Sequence, residues 1–370
     1  MTSAPTEIFL ATLPGLETIL ADEARELGFS SVNETSGGVT VAGGWSDVWR
    51  ANLHLRCASR VLARIGGFRA MHPAQLDKRA RKFDWAACLR PDVALRVEAS
   101  CHRSKIYHAG AASSRVERAI TETLGAPIAK DADLRLLVRI EDDLCTFSLD
   151  TSGAPLHQRG HKQAVGKAPL RETMAAAFLR SVGFRGDEPL VDPMCGSGTF
   201  TIEAAEIASG LPPGRSRSFA FETLPSFDAA QWQTLKSVAQ MRSTDFSCFG
   251  SDRDAGAVAS ARANAERAGV SQSCTFDQRA ISNLLRPEGP TGLIMVNPPY
   301  GARIGNKRAL YGLYGALGKK LMGLFSGWRV GLVTSDDGLA RATGLPWQAT
   351  GPFVPHGGIK VRLWQTAALP

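Results

Sequence analysis

The sequence predicts an α/β protein. Its C-terminal half reads as a doubly wound, mostly parallel sheet, and its N-terminal part as smaller α+β units. Three observations carry this. From residue 170 onward, helical and extended patterns alternate one for one. One extended run, Gly292-Leu-Ile-Met-Val-Asn297, is apolar nearly throughout, as a strand covered on both faces must be. The first 165 residues instead mix short strand-like runs with amphipathic stretches, and a polar, Gly/Pro-punctuated segment at 151–170 separates the two styles.

In chain order, 8–12 reads as a short strand. Leu16, Ile19, Leu20, Glu23 and Leu27 then follow near-helical spacing until Gly28. Gly37-Gly38 makes a turn before a strand at 39–41. A helical pattern returns over 45–63 with Trp45, Val48, Trp49, Leu53 and Leu62, and 93–99 and 134–149 alternate like strands. Beyond the boundary the expected elements are helix 170–183, strand 189–192, helix 199–209, strand 248–252, helix 254–268, strand 292–297, helix 308–325, strand 328–334 and a last strand at 359–364. Residues 210–247 exceed the ordinary connection between two strands and read as an insertion, helical from Phe227 to Met241.

Length, 370 residues, suggests two or three domains, and 44% hydrophobic with 21% charged residues is an ordinary globular balance. No apolar run is long enough for a bilayer, and the first residues lack a basic stretch followed by an apolar core, so a cytoplasmic location is expected. Seven dispersed cysteines without a C-x-x-C pair predict free thiols and no metal site. The net charge of +8 is uneven. Residues 50–118 hold 15 basic and 5 acidic side chains, whereas 1–49 hold 1 and 7. Concentrated positive charge is the footprint of a polyanionic partner.

The most informative stretch is Leu190-Val-Asp-Pro-Met-Cys-Gly-Ser-Gly-Thr-Phe200. A strand ends at Asp192, a tight loop contains Gly196 and Gly198, and a helix begins near Thr199, whose hydroxyl is placed to cap it. Glycines let a ligand approach the backbone, and open α/β sheets bind ligands beyond their strand ends. The string is neither the six-residue dinucleotide fingerprint nor a P-loop. It resembles the cofactor loop of class I methyltransferases that methylate amino groups of RNA and DNA. That resemblance implies a Rossmann-like domain with a seven-stranded sheet and S-adenosyl-L-methionine as cofactor. Asp192, Gly196 and Gly198 would then line the methionine moiety, with Pro193, Cys195, Ser197 and Thr199 also in contact with the cofactor. A second carboxylate, Asp252, closes the next strand, followed by Arg253. An acid there can grip both ribose hydroxyls, though it could instead cap the following helix, a role for which Asp254 competes. The family's third acid, facing the adenine amine, has no direct counterpart. Ala280 stands at the aligned place, and Asp277 or Gln278 are the nearest alternatives.

After the apolar strand comes Asn297-Pro298-Pro299-Tyr300. A side-chain carbonyl, a residue without an N–H and an aromatic ring suit a planar substrate with an exocyclic amine. A paired base cannot reach such a pocket and must be flipped or already unpaired. Cys195 is not expected to be a nucleophile, since it lies inside the cofactor loop.

Gly37-Gly-Val-Thr-Val41, Arg50-Ala-Asn-Leu-His-Leu-Arg-Cys-Ala-Ser-Arg-Val-Leu62, Cys101-His-Arg-Ser-Lys-Ile-Tyr-His108, Leu156-His-Gln-Arg-Gly160 and Ala168-Pro-Leu-Arg-Glu-Thr-Met-Ala-Ala176 extend the likeness over nearly the whole chain. They resemble the ferredoxin-like and THUMP modules, with their junction to the catalytic domain, of bacterial ribosomal-RNA guanine-N2 methyltransferases and related tRNA enzymes. The implied domains are 1–60 (ferredoxin-like), 61–155 (THUMP, RNA-binding) and 156–370 (methyltransferase). Lys78, Arg79, Arg81, Lys82, Arg103 and Lys105 would meet RNA phosphates. Glu172 would either touch the cofactor or serve as an acid at a helix N-terminus. The expected activity is guanine-N2 methylation of RNA, ribosomal RNA before tRNA. Adenine-N6 methylation and an RNA-binding assembly factor with a degenerate cofactor site are the alternatives. A single reaction is expected, because the chain ends at Pro370 after one catalytic domain.

Overall fold

The computed structural model describes residues 5, 7–163, 170–237, 242–300 and 307–370. They form two compact units: residues 1–12, 20–156 and 217–238, and residues 13–19, 157–216 and 239–370.

The first unit is one seven-stranded sheet with its helices. In chain order it comprises β1 (Glu7–Ala11), α1 (Glu17–Glu26), β2 (Ser30–Thr35), β3 (Gly38–Ala42), α2 (Trp45–His54), β4 (Arg60–Arg69), α3 (Pro73–Ala80), β5 (Leu95–His102), α4 (Ala109–Leu124), β6 (Leu134–Glu141) and β7 (Leu144–Asp150). The strand order is β2-β3-β1-β4-β7-β6-β5, so β4 pairs β1 on one side and β7 on the other. Both expected N-terminal modules therefore share a sheet.

The helix expected over 45–63 is two elements. The chain leaves the helix at Leu55, which is extended (φ −72°, ψ 122°). The N–H groups of Arg56 and Cys57 then donate to the buried Glu23 carboxylate at 2.8 and 2.9 Å. From Arg60 burial alternates, with Val61 and Ala63 inside, so Leu62 belongs to a strand rather than to the helical stripe. Strand β2 and helices α3 and α4 are additions to the elements expected from the sequence. β2 is polar except for Val32, and its pairing to β3 rather than an apolar face defines it.

The second unit comprises α5 (Glu172–Ser181), β8 (Leu190–Asp192), α6 (Thr199–Ala208), β9 (Cys248–Asp252), α8 (Ala255–Ala268), β10 (Cys274–Gln278), β11 (Leu293–Val296), α9 (Lys307–Leu324), β12 (Arg329–Thr334), α10 (Asp337–Ala342), β13 (Trp347–Thr350), β14 (Val354–His356) and β15 (Ile359–Thr366). The remaining helix, α7 (Ala229–Ser237), lies in the insertion and belongs to the first unit. The sheet runs β10-β9-β8-β11-β12-β15-β13, with β10 through β12 parallel and β15 antiparallel. The order reverses between β8 and β11, which creates the crevice where open α/β sheets bind ligands. Ile294 and Val296 of β11 bury one sheet face against Leu310, Tyr314, Leu317 and Leu321 of α9. Gly357 and Gly358 both take left-handed φ (56° and 87°), and β14 and β15 pair on either side of them.

Within the first unit, part of the expected insertion, 217–237, packs on strand ends and α2. The Phe221 N–H donates to the Thr151 carbonyl at 3.1 Å. Arg217 donates to the carbonyls of Ser152 and Pro155 at 2.9 and 2.8 Å. Phe221 stacks on Trp49 with ring centroids 6.1 Å apart and meets Trp232 edge-on. Residues 238–241, the end of the helix expected there, lie outside the described residues, as do 164–169 of the junction motif.

Candidate methyl-transfer site

Two loops leave adjacent parallel strands at the same sheet edge: 193–198 after β8 and 297–300 after β11. The first is tied down internally. The Cys195 N–H donates to Ser251 O of β9 at 2.9 Å, and Gly198 N–H donates to Cys195 O at 2.8 Å. Asn264 of α8 donates to the Ser197 carbonyl at 3.1 Å. The two glycines do different work. A Cβ on Gly196 would meet nothing within 4 Å, so open space lies before that residue, as a ligand cradle requires. A Cβ on Gly198 would press on Ala261, Ile202 and Phe276 at 3.1 to 3.3 Å. Gly198, with φ 86°, thus permits the helix to enter between α8 and β10, and it serves as the N-cap of α6. Thr199 is not the cap. It is already the first helical residue, and its hydroxyl accepts a hydrogen bond from Lys162 at 2.8 Å.

Two carboxylates face this loop. Asp192 is fully buried and accepts from Met194 N–H at 3.1 Å. Burial, reinforced by the charge of nearby Asp252, pushes its pKa up to about 8. Asp252 accepts from Gly196 N–H and from Asp254 N–H, both at 3.0 Å. Asp254 itself caps α8, accepting from Gly256 and Ala257 N–H groups at 2.7 and 3.1 Å. The capping alternative for Asp252 is thereby removed. Cys195 is inert in this setting, because burial and both carboxylates push its thiol pKa far upward.

Lys162 stands outside every motif of the sequence. Its side chain and that of Glu172 are each 9% exposed and pair at 3.0 Å. The ammonium also donates to the Leu170 carbonyl at 3.2 Å. Lys162 thereby links the first residues of α5 and α6, and Glu172 supplies the countercharge that a cation beside a helix N-terminus needs. Beyond it, Arg159 meets Glu203 at 3.4 Å, and Arg215 meets Glu206 at 2.5 Å, all beneath α6. The signal for these cations is the pair of acids on an otherwise apolar helix.

In the second loop, the Asn297 side-chain Oδ1 is buried without a hydrogen-bond partner. Such an atom carries a desolvation cost that a donor entering the crevice would relieve. Tyr300 is half-buried against the α9-side core, and burial pushes its hydroxyl pKa up to about 12. Pro298 is buried and Pro299 half-buried. The Pro299 carbonyl accepts from Tyr314 on α9 at 3.3 Å, and Tyr314 lies 3.3 Å from the Thr334 hydroxyl of β12. These two hydroxyls fix the loop from below and were not legible in its motif.

The third-acid position is empty of acid. Ala280 opens a single 3₁₀ turn. Asp277 is exposed and pairs with Arg279 at 3.1 Å, while Gln278 donates to the Arg253 carbonyl at 3.3 Å. The Arg253 side chain is exposed.

The six basic residues expected to meet phosphates separate into two groups. Arg81 pairs with Asp77 (3.0 Å) and Glu122, and Arg103 with Glu141 and Asp142, both at 3.1 Å. Arg79 donates to the Arg69 carbonyl, and Lys105 approaches only the Met71 sulfur at 3.7 Å. Among the described residues, Lys78 and Lys82 are exposed and have no ion pair.

Known proteins resemble this chain in sequence and in fold. Residues 159–350 match the family described as RMKL-like, methyltransferase domain, and residues 7–62 match the RlmL ferredoxin-like domain. The ribosomal RNA large subunit methyltransferase K/L of Syntrophotalea carbinolica is 37% identical over 363 residues, covering 92% of this chain and 51% of that protein. The chain thus spans about half the length of this curated relative. Among solved structures, a protein described as a putative methyltransferase complexed with SAH is 26% identical, with a TM-score of 0.89 over 100% of this chain and 99% of that one. A Listeria monocytogenes protein described as a predicted N6-adenine-specific DNA methylase is 29% identical, with a TM-score of 0.88 over 100% and 97%. With the family model spanning more than half its length, the chain belongs to the RMKL-like methyltransferase family.

Proposed function

We propose that the chain is an S-adenosyl-L-methionine-dependent RNA methyltransferase that forms N2-methylguanosine in ribosomal RNA in the cytoplasm. The observation that carries this reading is the pairing of a carboxylate-lined loop with an orphaned acceptor, Asn297 Oδ1, on the neighbouring strand end. The bound cofactor supplies an electrophilic methyl group on a sulfonium. The residues fit such a group. Buried Asp192 offers a carboxylate to a cation, the second carboxylate, Asp252, suits ribose hydroxyls, and the space before Gly196 is open.

The chain's own part is to position. Asn297 Oδ1 accepts a hydrogen bond from the base amine, which restrains the amine's rotation and directs its lone pair. Tyr300 offers its ring to the base. No strong base is needed, because the amine loses its proton after transfer, when it has become acidic. The module around α3 and α4 is read as the THUMP RNA-binding domain, with Lys78, Arg79, Lys82 and Lys105 on phosphates.

Guanine rests on the likeness to the K/L enzyme. The Listeria structure's name keeps adenine-N6 as a second reading, since Asn297-Pro-Pro-Tyr300 serves either amine. Comparing modified nucleosides in total RNA from a strain lacking this gene and its parent tests the proposal. Loss of N2-methylguanosine at one ribosomal position is expected. Unchanged N2-methylguanosine together with lost N6-methyladenosine would reject guanine.

A further inference from the structure

The groove between α3 and α4 has features that phosphate contact alone does not require. Tyr107 is 84% exposed, more than any other large hydrophobic side chain among the described residues. It lines a groove whose wall includes Leu76 of α3, Ile106, and Ala112 of α4. Lys105, His108 and Arg115 line the same groove, and no acidic residue does. The Lys105 ammonium touches the Met71 sulfur at 3.7 Å while its backbone N–H donates to Asp143 at 2.9 Å, and Arg115 donates to the carbonyl of Ala111 on its own helix at 2.9 Å, with Asp77 near but in no ion pair with it. Most other arginines of this unit, among them Arg81, Arg90, Arg103 and Arg135, hold carboxylates. The His108 Nδ1 accepts from Ala111 N–H at 3.0 Å, which places the proton of the neutral ring on Nε2 as a spare donor.

We propose that this groove binds one unpaired nucleotide of the RNA, its base stacked on Tyr107 and its adjoining phosphates held by Lys105 and Arg115. The inference rests on the reading of this chain as an RNA enzyme and adds where, and in what form, the strand is held. An exposed ring between two cations matches single-stranded nucleic acid, whose bases are free to stack. A duplex keeps its bases inside and would leave the ring unused. An acidic peptide would satisfy the cations without needing an aromatic face.

The test is fluorescence anisotropy of the full chain with a labelled eight-nucleotide oligouridine, with a duplex of equal length as comparison and no S-adenosyl-L-methionine present. Tyr107→Ala should weaken single-strand binding roughly tenfold, Tyr107→Phe should leave it near wild type, and both should melt at the wild-type temperature because the side chain is exposed. Lys105→Ala with Arg115→Ala should lower the salt slope by roughly 1.4. Full affinity in Tyr107→Ala, equal loss in Tyr107→Phe, an equal effect on the duplex, or Tyr107-dependent displacement of the RNA by polyglutamate would each overturn the proposal. If wild type binds RNA independently of Tyr107, this inference alone fails. If wild type binds neither RNA, the reading of the chain as an RNA enzyme falls with it.

Discussion

At the scale of single residues, the fold leaves two side chains of the site in costly states. Asn297 Oδ1 lacks a partner inside the fold. Asn297→Ala should lower methyl transfer about 100-fold while sparing cofactor affinity, because the amide orients only the base. Parallel calorimetry and initial rates separate the two, and unaltered turnover would reject the role. Asp192 is a buried acid whose pKa stands at about 8, against an ordinary value of 3.8. Its proton is retained by the folded, ligand-free protein and released by the unfolded chain between those values. Stability contributed by this group is therefore present at low pH and falls as pH rises from about 4 to 8. Asp192→Asn should consequently raise the melting temperature at pH 8, with the gain shrinking toward pH 5. The same variant should lose cofactor affinity if, as proposed, the carboxylate faces the cofactor's cationic group. A melting difference that does not change with pH would contradict this.

At the scale of elements, the loop at 193–198 shows what a motif reveals and what it hides. Strand β8, the loop and α6 were all legible from Leu190 to Phe200, because two glycines just beyond an apolar run end the strand and allow a tight turn into a helix. The division of labour between the two glycines was not legible, since it depends on Ala261 and Phe276, which are remote in sequence. Gly198→Ala should cost on the order of 2 to 4 kcal/mol, from left-handed backbone and crowding together. Gly196→Ala should cost about 1 to 2 kcal/mol, from its positive φ alone, and weaken cofactor binding instead. Urea midpoints compare them, and equal costs would deny that Gly198 is a packing residue. Lys162 and Tyr314 were hidden for the same reason, because each acts on a loop that the chain brings to it only by folding. The 45–63 stretch misled differently. Leu62 fits a helical stripe by spacing, but the Glu23 carboxylate turns the chain at Arg56 and Cys57 before that stripe is reached.

At the scale of the whole molecule, the basic excess of residues 50–118 is real but partly internal. Arg60 pairs with buried Asp150, Arg64 with Glu7 and Arg103 with Glu141 and Asp142, so acids outside the window neutralise part of it. The residual positive charge gathers on α3, α4 and the Lys105 segment. Reversing Lys78, Arg79 and Lys82 to Glu should flatten the salt dependence of RNA binding by about 2 or more in log–log slope. Arg81→Ala and Arg103→Ala should change it little, since both guanidiniums already hold carboxylates. Equal effects from both groups would show that the ion pairs open on binding. The central claim, that a carbon donor at one strand end meets a guanine amine at the next, is reached most directly by nucleoside mass spectrometry. Ribosomal RNA lacking the modification is incubated with the purified chain and isotopically labelled S-adenosyl-L-methionine, then digested. Label in N2-methylguanosine, absent with Asn297→Ala, is the result expected; label confined to N6-methyladenosine, or none in any nucleoside, would contradict it.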